Sequence, residues 1–187
     1  MTENTLARRD GLPDALRVLV QQYPRDLWAA HHNFDGLTRF WLERHLMFRQ
    51  VLERWQAETR AFLDKGSDPR RQASQTARLG GFLISELHGH HHIEDAHYFP
   101  QLGAAEPRLA RGFALLDADH QALDAELAGL TETANAHLTA LAGGDLVADS
   151  AGRLLTRLEG FERFLDRHLI DEEELVVPVI LHHALRF

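Results

Sequence analysis

His90-x-x-x-Glu94 and His168-x-x-x-Glu172 each pair an imidazole with a carboxylate four residues later, and each glutamate is followed six residues on by a proline, Pro100 or Pro178. On a helix, residues i and i+4 share one face about 6 Å apart, so each pair can aim a nitrogen and an oxygen at one centre. Two further histidines sit in matching apolar frames. His45 is followed by Phe48 and Leu52, and His120 by Leu123 and Leu127. The lone histidine precedes its His-Glu pair by 45 residues in one half and by 48 in the other, which is an internal repeat. A single histidine on an apolar stripe is ordinarily a hydrogen-bonded core residue, and a single H-x-x-x-E is ordinarily solvated helix surface. The matched second copy turns the reading towards a metal.

The chemistry follows from what burial demands. A carboxylate taken out of water without a partner costs several kcal/mol, and a buried imidazole needs its nitrogens satisfied. Two cations would neutralise six such groups, each ion taking two of His45, His90, His120 and His168 and sharing Glu94 and Glu172. Positions would remain for water, oxide or a small ligand. The chain has no cysteine, so thiolate zinc sites, iron–sulfur clusters and disulfides are excluded and the ligands must be nitrogen and oxygen. Iron, zinc and manganese all accept that donor set.

Several neighbours are candidates for a supporting or alternative role. His91 with Asp95 repeats the i, i+4 geometry about 100° further round, and Glu173 stands one residue beyond Glu172. His90 and Glu94 align better with Leu83 and Leu87, so His91 and Asp95 are expected to orient a ligand imidazole or accept its second N–H. His97, one turn after Glu94, and Asp124, one turn after His120, are further candidates. For Asp124 a solvated helix face is the stronger reading, as it is for His92. His31, His32, His137, His182 and His183 lie too far along their helices from the central histidines to be ligands.

These residues need four long helices to hold them. Gly and Pro cluster around Gly11 and Pro13, at Asp35-Gly36, over Lys65 to Pro69, from Gly103 to Pro107, and from Gly143-Gly144 to Ser150. Between the later breaks, apolar residues recur three and four apart, as in Leu37, Trp41, His45, Phe48, Leu52 and Trp55. Long helices joined by short loops predict an all-α, up-down-up-down antiparallel four-helix bundle over residues 36–187, with a partly helical N-terminal extension over residues 1–35, including a short helix near Pro13 to Gln21. Asp68 before Pro69 is the expected cap of the second long helix, and Asp149 or Ser150 of the fourth. No stretch reaches the roughly 20 apolar residues of a membrane span, and the polar N-terminus lacks an export signal, so a cytoplasmic protein is expected. The net charge of −8 disfavours nucleic acid and anionic membranes as partners.

On these residues the chain resembles the hemerythrin-like, or HHE cation-binding, family. Its pattern is a histidine, an H-x-x-x-E, a histidine and an H-x-x-x-E on successive helices, and the run His90-His91-His92-Ile93-Glu94-Asp95 to Tyr98-Phe99-Pro100 is its most specific segment. The resemblance covers about Leu37 to Leu181. It implies a non-haem di-iron centre, the two iron ions bridged by oxide or hydroxide, with His45, His90, Glu94, His120, His168 and Glu172 as ligands. The implied role is binding or sensing of oxygen or nitric oxide, or sensing of iron. The alternative is an enzyme acting on oxygen, peroxide or nitric oxide at the same centre. Oxygen carriers of the family have a further histidine where Asp124 stands here, and a last pair spaced as H-x-x-x-x-D. This chain offers His168 with Glu172, or with Glu173 at the longer spacing, which argues against dedicated oxygen transport.

Overall fold

A computed structural model describes residues 5–66 and 68–186. Residues 1–4 of the polar N-terminus and Ser67 of the third break lie outside the described residues. Among the described residues every regular element is a helix, and there is no strand. The α-helices are α1 (Val18–Gln22), α2 (Gly36–Lys65), α3 (Pro69–Ile93), α4 (Phe99–Ala105), α5 (Ala110–Gly143) and α6 (Val147–His183). Short 3-10 turns cover Asp14–Leu16, Arg25–Ala30 and Pro107–Leu109. No described helix is long and apolar enough to cross a membrane.

Local chemistry explains the boundaries. Asp35 begins α2 by accepting the Thr38 N–H at 2.9 Å, and Asp68 begins α3 by accepting the Arg70 N–H at 3.0 Å, with Pro69 as first helical residue. Gly66 and Gly144, at φ 56° and 80°, take the left-handed conformation that closes α2 and α5. Two expectations need correction. The short helix near Pro13 to Gln21 is a 3-10 turn followed by α1. The fourth long helix starts at Val147, so Ser150 is an interior residue whose hydroxyl donates to the Val147 carbonyl at 2.8 Å, rather than a cap. The helix carrying His90 runs on past Glu94 through a π-helical turn, Glu94–Tyr98, into α4, up to the break expected from Gly103. In that turn the Phe99 N–H donates to the Glu94 carbonyl five residues back. Pro100, with no N–H to offer, follows at once.

The chain divides into two compact units. One comprises Met1–Leu46, His90–Ala122 and Leu165–Phe187, and the other Met47–Gly89 and Leu123–Phe164. Each of α2, α3, α5 and α6 therefore contributes a segment to both. The first unit is built on a buried cluster including Leu12, Leu16, Leu19, Trp41, Phe99, Leu102, Phe113, Leu175 and Val179. The N-terminal residues are part of this cluster, so the extension supplies core as well as chain. The second unit buries Trp55, Leu83, Leu127, Leu130, Leu158 and Phe161. A polar pair also lies inside it, with His137 Nδ1 2.9 Å from Ser150 Oγ.

Candidate metal centre

The first unit gathers the histidines and glutamates into two adjoining groups. His45, His90, Glu94 and Glu172 each offer a ligand atom within 4.8 Å of the others, and so, separately, do His91, His120 and His168. The first group joins α2, the end of α3, the π turn and α6, and the second joins α3, α5 and α6. His45, His168 and Glu172 are fully buried, and Glu94, His91 and His120 nearly so.

The carboxylates link the two groups. Glu94 Oε1 lies 2.9 Å from His90 Nε2, and its Oε2 lies 3.6 Å from His120 Nε2. Glu172 Oε1 lies 3.4 Å from His45 Nε2, and its Oε2 lies 3.3 Å from His168 Nε2. Each glutamate thus turns one oxygen to each group. His45 Nε2 and His90 Nε2 face one another at 3.1 Å. Two ligands bound cis at about 2.1 Å from one ion would be about 3.0 Å apart, so this spacing suits a shared cation.

Three of the five imidazoles are oriented from behind by carboxylates. His45 Nδ1 meets Glu173 Oε1 at 2.9 Å, His120 Nδ1 meets Asp95 Oδ1 at 2.8 Å, and His168 Nδ1 meets Asp119 Oδ2 at 3.5 Å. A proton kept on Nδ1 would leave the Nε2 lone pair for a cation on the inner side. Trp41 Nε1–H donates to Glu172 Oε1 at 2.6 Å. The rings of His91 and His120 stack with centroids 4.1 Å apart, and Phe99 stacks on His120 at 5.4 Å.

Burial and mutual charge set the protonation of the site. Burial pushes His90 down to about 3, and burial with the neighbouring imidazoles pushes His91 well below the usual range, so both stay neutral. Burial and the charge of Glu172 push the Glu94 carboxyl well upward. Glu172 goes the other way. Burial opposes its charge, but His45 and His168 hold it well below the usual carboxylate range. The orphaned atoms are concentrated here. Of the eleven buried side-chain nitrogens and oxygens without a hydrogen bond among the described residues, seven belong to this centre: both nitrogens of His91, both oxygens of Glu94, Nε2 of His120 and His168, and Oε2 of Glu172. Buried polar atoms are rarely left so, and a cation is the partner that this donor set fits.

The six residues expected from the internal repeat are therefore brought together. Glu173 and Asp95 stand behind His45 and His120 as orienting carboxylates, with Glu172 rather than Glu173 facing inward. His91 corrects the expectation. It lies inside the second group rather than behind it, because neighbouring positions 100° apart on one helix can flank two centres when a carboxylate joins them. His97 and Asp124 are exposed and take no part; Asp124 pairs with His88 in the second unit at 3.3 Å. Sequence reasoning missed Asp119, Trp41 and, from the N-terminal extension, Arg9 and Arg25. A third grouping, Glu106 with His182 and His183, has its carboxylate held by Arg108 through two 2.7 Å bonds.

No curated protein and no solved structure matches the chain. A family description does match, hemerythrin HHE cation binding domain, over residues 36–180, a span that contains every histidine and glutamate of the two groups. With most of its length covered, including both halves of the internal repeat, the chain belongs to the hemerythrin HHE cation-binding family.

Proposed function

We propose that the chain holds a dinuclear iron centre that binds or senses a small ligand such as oxygen or nitric oxide, or senses iron itself. The observation that carries this reading is the pair of glutamates, each presenting one oxygen to each of two histidine groups. His45 and His90 would hold one ion, His91, His120 and His168 the other, and Glu94 and Glu172 would bridge them. The reading takes the four long helices in the up-down-up-down order expected for the family. Family membership supports it, as does the alternation of the chain between its two units.

When bound, an iron pair supplies a redox-active Lewis-acidic centre. The chain's own residues supply the rest. Glu173, Asp95 and Asp119 fix the inward-facing tautomer of three ligands, and Trp41 steadies Glu172. Phe99 stacks on the ring of His120. The 3:2 division of imidazoles leaves the His45–His90 side with fewer protein ligands, and so with more room for a small ligand.

Elemental analysis and a visible absorption spectrum of protein purified aerobically from iron-replete cells test the proposal. Two irons per chain are expected, lost on substitution of His90 or Glu172. A protein without tightly held metal, or one whose metal content survives those substitutions, would contradict it. Zinc in place of iron would keep the dinuclear site and remove the redox role, and manganese would keep both with a different metal.

A further inference from the structure

The family match begins at residue 36, yet two arginines from before that point reach the candidate centre from behind. Arg9 is 7 % exposed. Its Nε donates to Asp171 Oδ2 at 2.7 Å and its Nη1 to Asp119 Oδ1 at 2.8 Å, while Nη2 also donates to Asp119. Asp119 is the carboxylate behind His168. Arg25 Nη1 donates to Glu173 Oε2 at 2.5 Å, and Glu173 is the carboxylate behind His45. One guanidinium therefore stands behind each histidine group, separated from an imidazole by a single shared carboxylate.

Both arginines are placed by the local build of the segment. Arg9 lies between Leu6 and Leu12, three residues to either side and both buried, and Arg167 Nη1 clamps the next residue by donating to the Asp10 carbonyl at 2.8 Å. Arg25 opens the 3-10 turn Arg25–Ala30. In such a turn residues i and i+3 eclipse, which brings Trp28 under the guanidinium, 4.7 Å from carbon to ring centroid. Trp28 is itself buried, with its Nε1–H donated to the Tyr23 carbonyl at 2.7 Å.

We propose that residues before 36 form an outer layer of the metal centre, in which Arg9 and Arg25 act as positioning residues that set how firmly each ion is held and how readily it is reduced. The proposal rests on the dinuclear reading above. A guanidinium on the carboxylate, at the outer oxygen of Glu173 and at both oxygens of Asp119, fixes its orientation and draws its charge outward. The imidazole on the other side of that carboxylate is then held at its angle with its Nδ1 proton turned to it. The same positive charge disfavours the more oxidised state of an ion beyond the imidazole, and so raises its reduction potential.

The test uses the full-length iron-loaded protein and its Arg25→Gln, Arg25→Lys, Arg9→Gln and Arg9→Lys variants. Iron release to a chelator and the midpoint potentials in a spectroelectrochemical titration are measured for each. Arg25→Gln should release one of the two ions about tenfold faster and shift its potential to a more negative value, and Arg9→Gln should do the same to the other ion. The lysine variants should restore the potentials, because the charge is kept, a rescue that a mere staple for the N-terminal segment would not produce. Arg9→Gln leaves Asp119 and Asp171 short of a buried counter-charge; if it fails to fold, Arg25, whose side chain is 49 % exposed, carries the test alone. Wild-type release rates and potentials in Arg25→Gln, or a potential that Arg25→Lys does not restore, would overturn the proposal. A wild-type protein that binds no metal pair would instead bring down the dinuclear reading, and this inference with it.

Discussion

Trp41 donates its indole N–H to Glu172 Oε1 across 2.6 Å, in a part of the protein where both side chains are shielded from water. The bond serves the oxygen that also faces His45. Trp41→Phe keeps most of the ring packing against Tyr98, 4.8 Å between centroids, and removes the donor. Chelator-treated protein should lose about 1–3 kcal/mol, the cost of an unsatisfied buried acceptor. Metal-loaded protein should lose less, because a cation then shares the charge. Denaturant unfolding with and without metal checks the difference.

His91 has both ring nitrogens buried and without a hydrogen bond. His91→Phe retains a ring to stack on His120 and removes two orphaned polar atoms. The metal-free variant should therefore be more stable than the parent by about 1–3 kcal/mol, while its metal content falls from two ions to one. Paired thermal unfolding and elemental analysis would show this trade of stability for binding. A less stable metal-free variant would mean that the nitrogens have partners after all.

Acid sensitivity has a source away from the centre. Two bonds from Arg108, aided by His183, hold the Glu106 carboxyl at about 2, below its ordinary 4.5. Its folded value is depressed, so the unfolded chain takes up the proton first. The contribution to stability is complete above about 4.5 and is lost as the pH falls towards about 2. Glu106→Gln should flatten the stability profile across that window and leave it unchanged near neutrality, as read from urea unfolding at a series of pH values.

Gly80 marks a close approach within the second unit. A Cβ there would lie 2.6 Å from Trp55 Cη2, inside contact distance of a fully buried ring. Gly80→Ala should cost about 1–3 kcal/mol through the forced shift of the indole. Metal content should be unchanged, which calorimetry and elemental analysis would confirm together.

Much of this was legible in the sequence, for physical reasons. Apolar periodicity fixes the inward stripe of a long helix, so the positions of His45, Glu94, His120, His168 and Glu172 on buried faces could be read before any coordinates. The internal repeat gave those positions a shared purpose. His91 was harder, because a stripe argument chooses one of two adjacent residues, whereas a pair of ligand groups can use both. Arg9 and Arg25 left no periodic trace. They sit in a turn and a 3-10 segment, and their partners are as much as 162 residues away. Asp119 and Asp171 read as ordinary helical acids until that basic partner is in place. The π turn was equally silent, with Pro100 as its one nearby irregularity.

That turn has a consequence for how the chain can vary. Upstream, buried positions follow the α-helical rhythm through Leu83, Leu87, His91 and Glu94; downstream, they resume at Phe99 and Leu102 after a stride of five. One extra residue resets the phase, so that a polar tract and the greasy plug beyond it point the same way. Removing a single residue between Asp95 and Tyr98 would rotate everything after it by about 100°, carrying Phe99 off the His120 ring and Leu102 towards solvent. A one-residue deletion there should therefore be far less tolerated than one in the neighbouring loops, although no histidine or glutamate of the two groups would be lost.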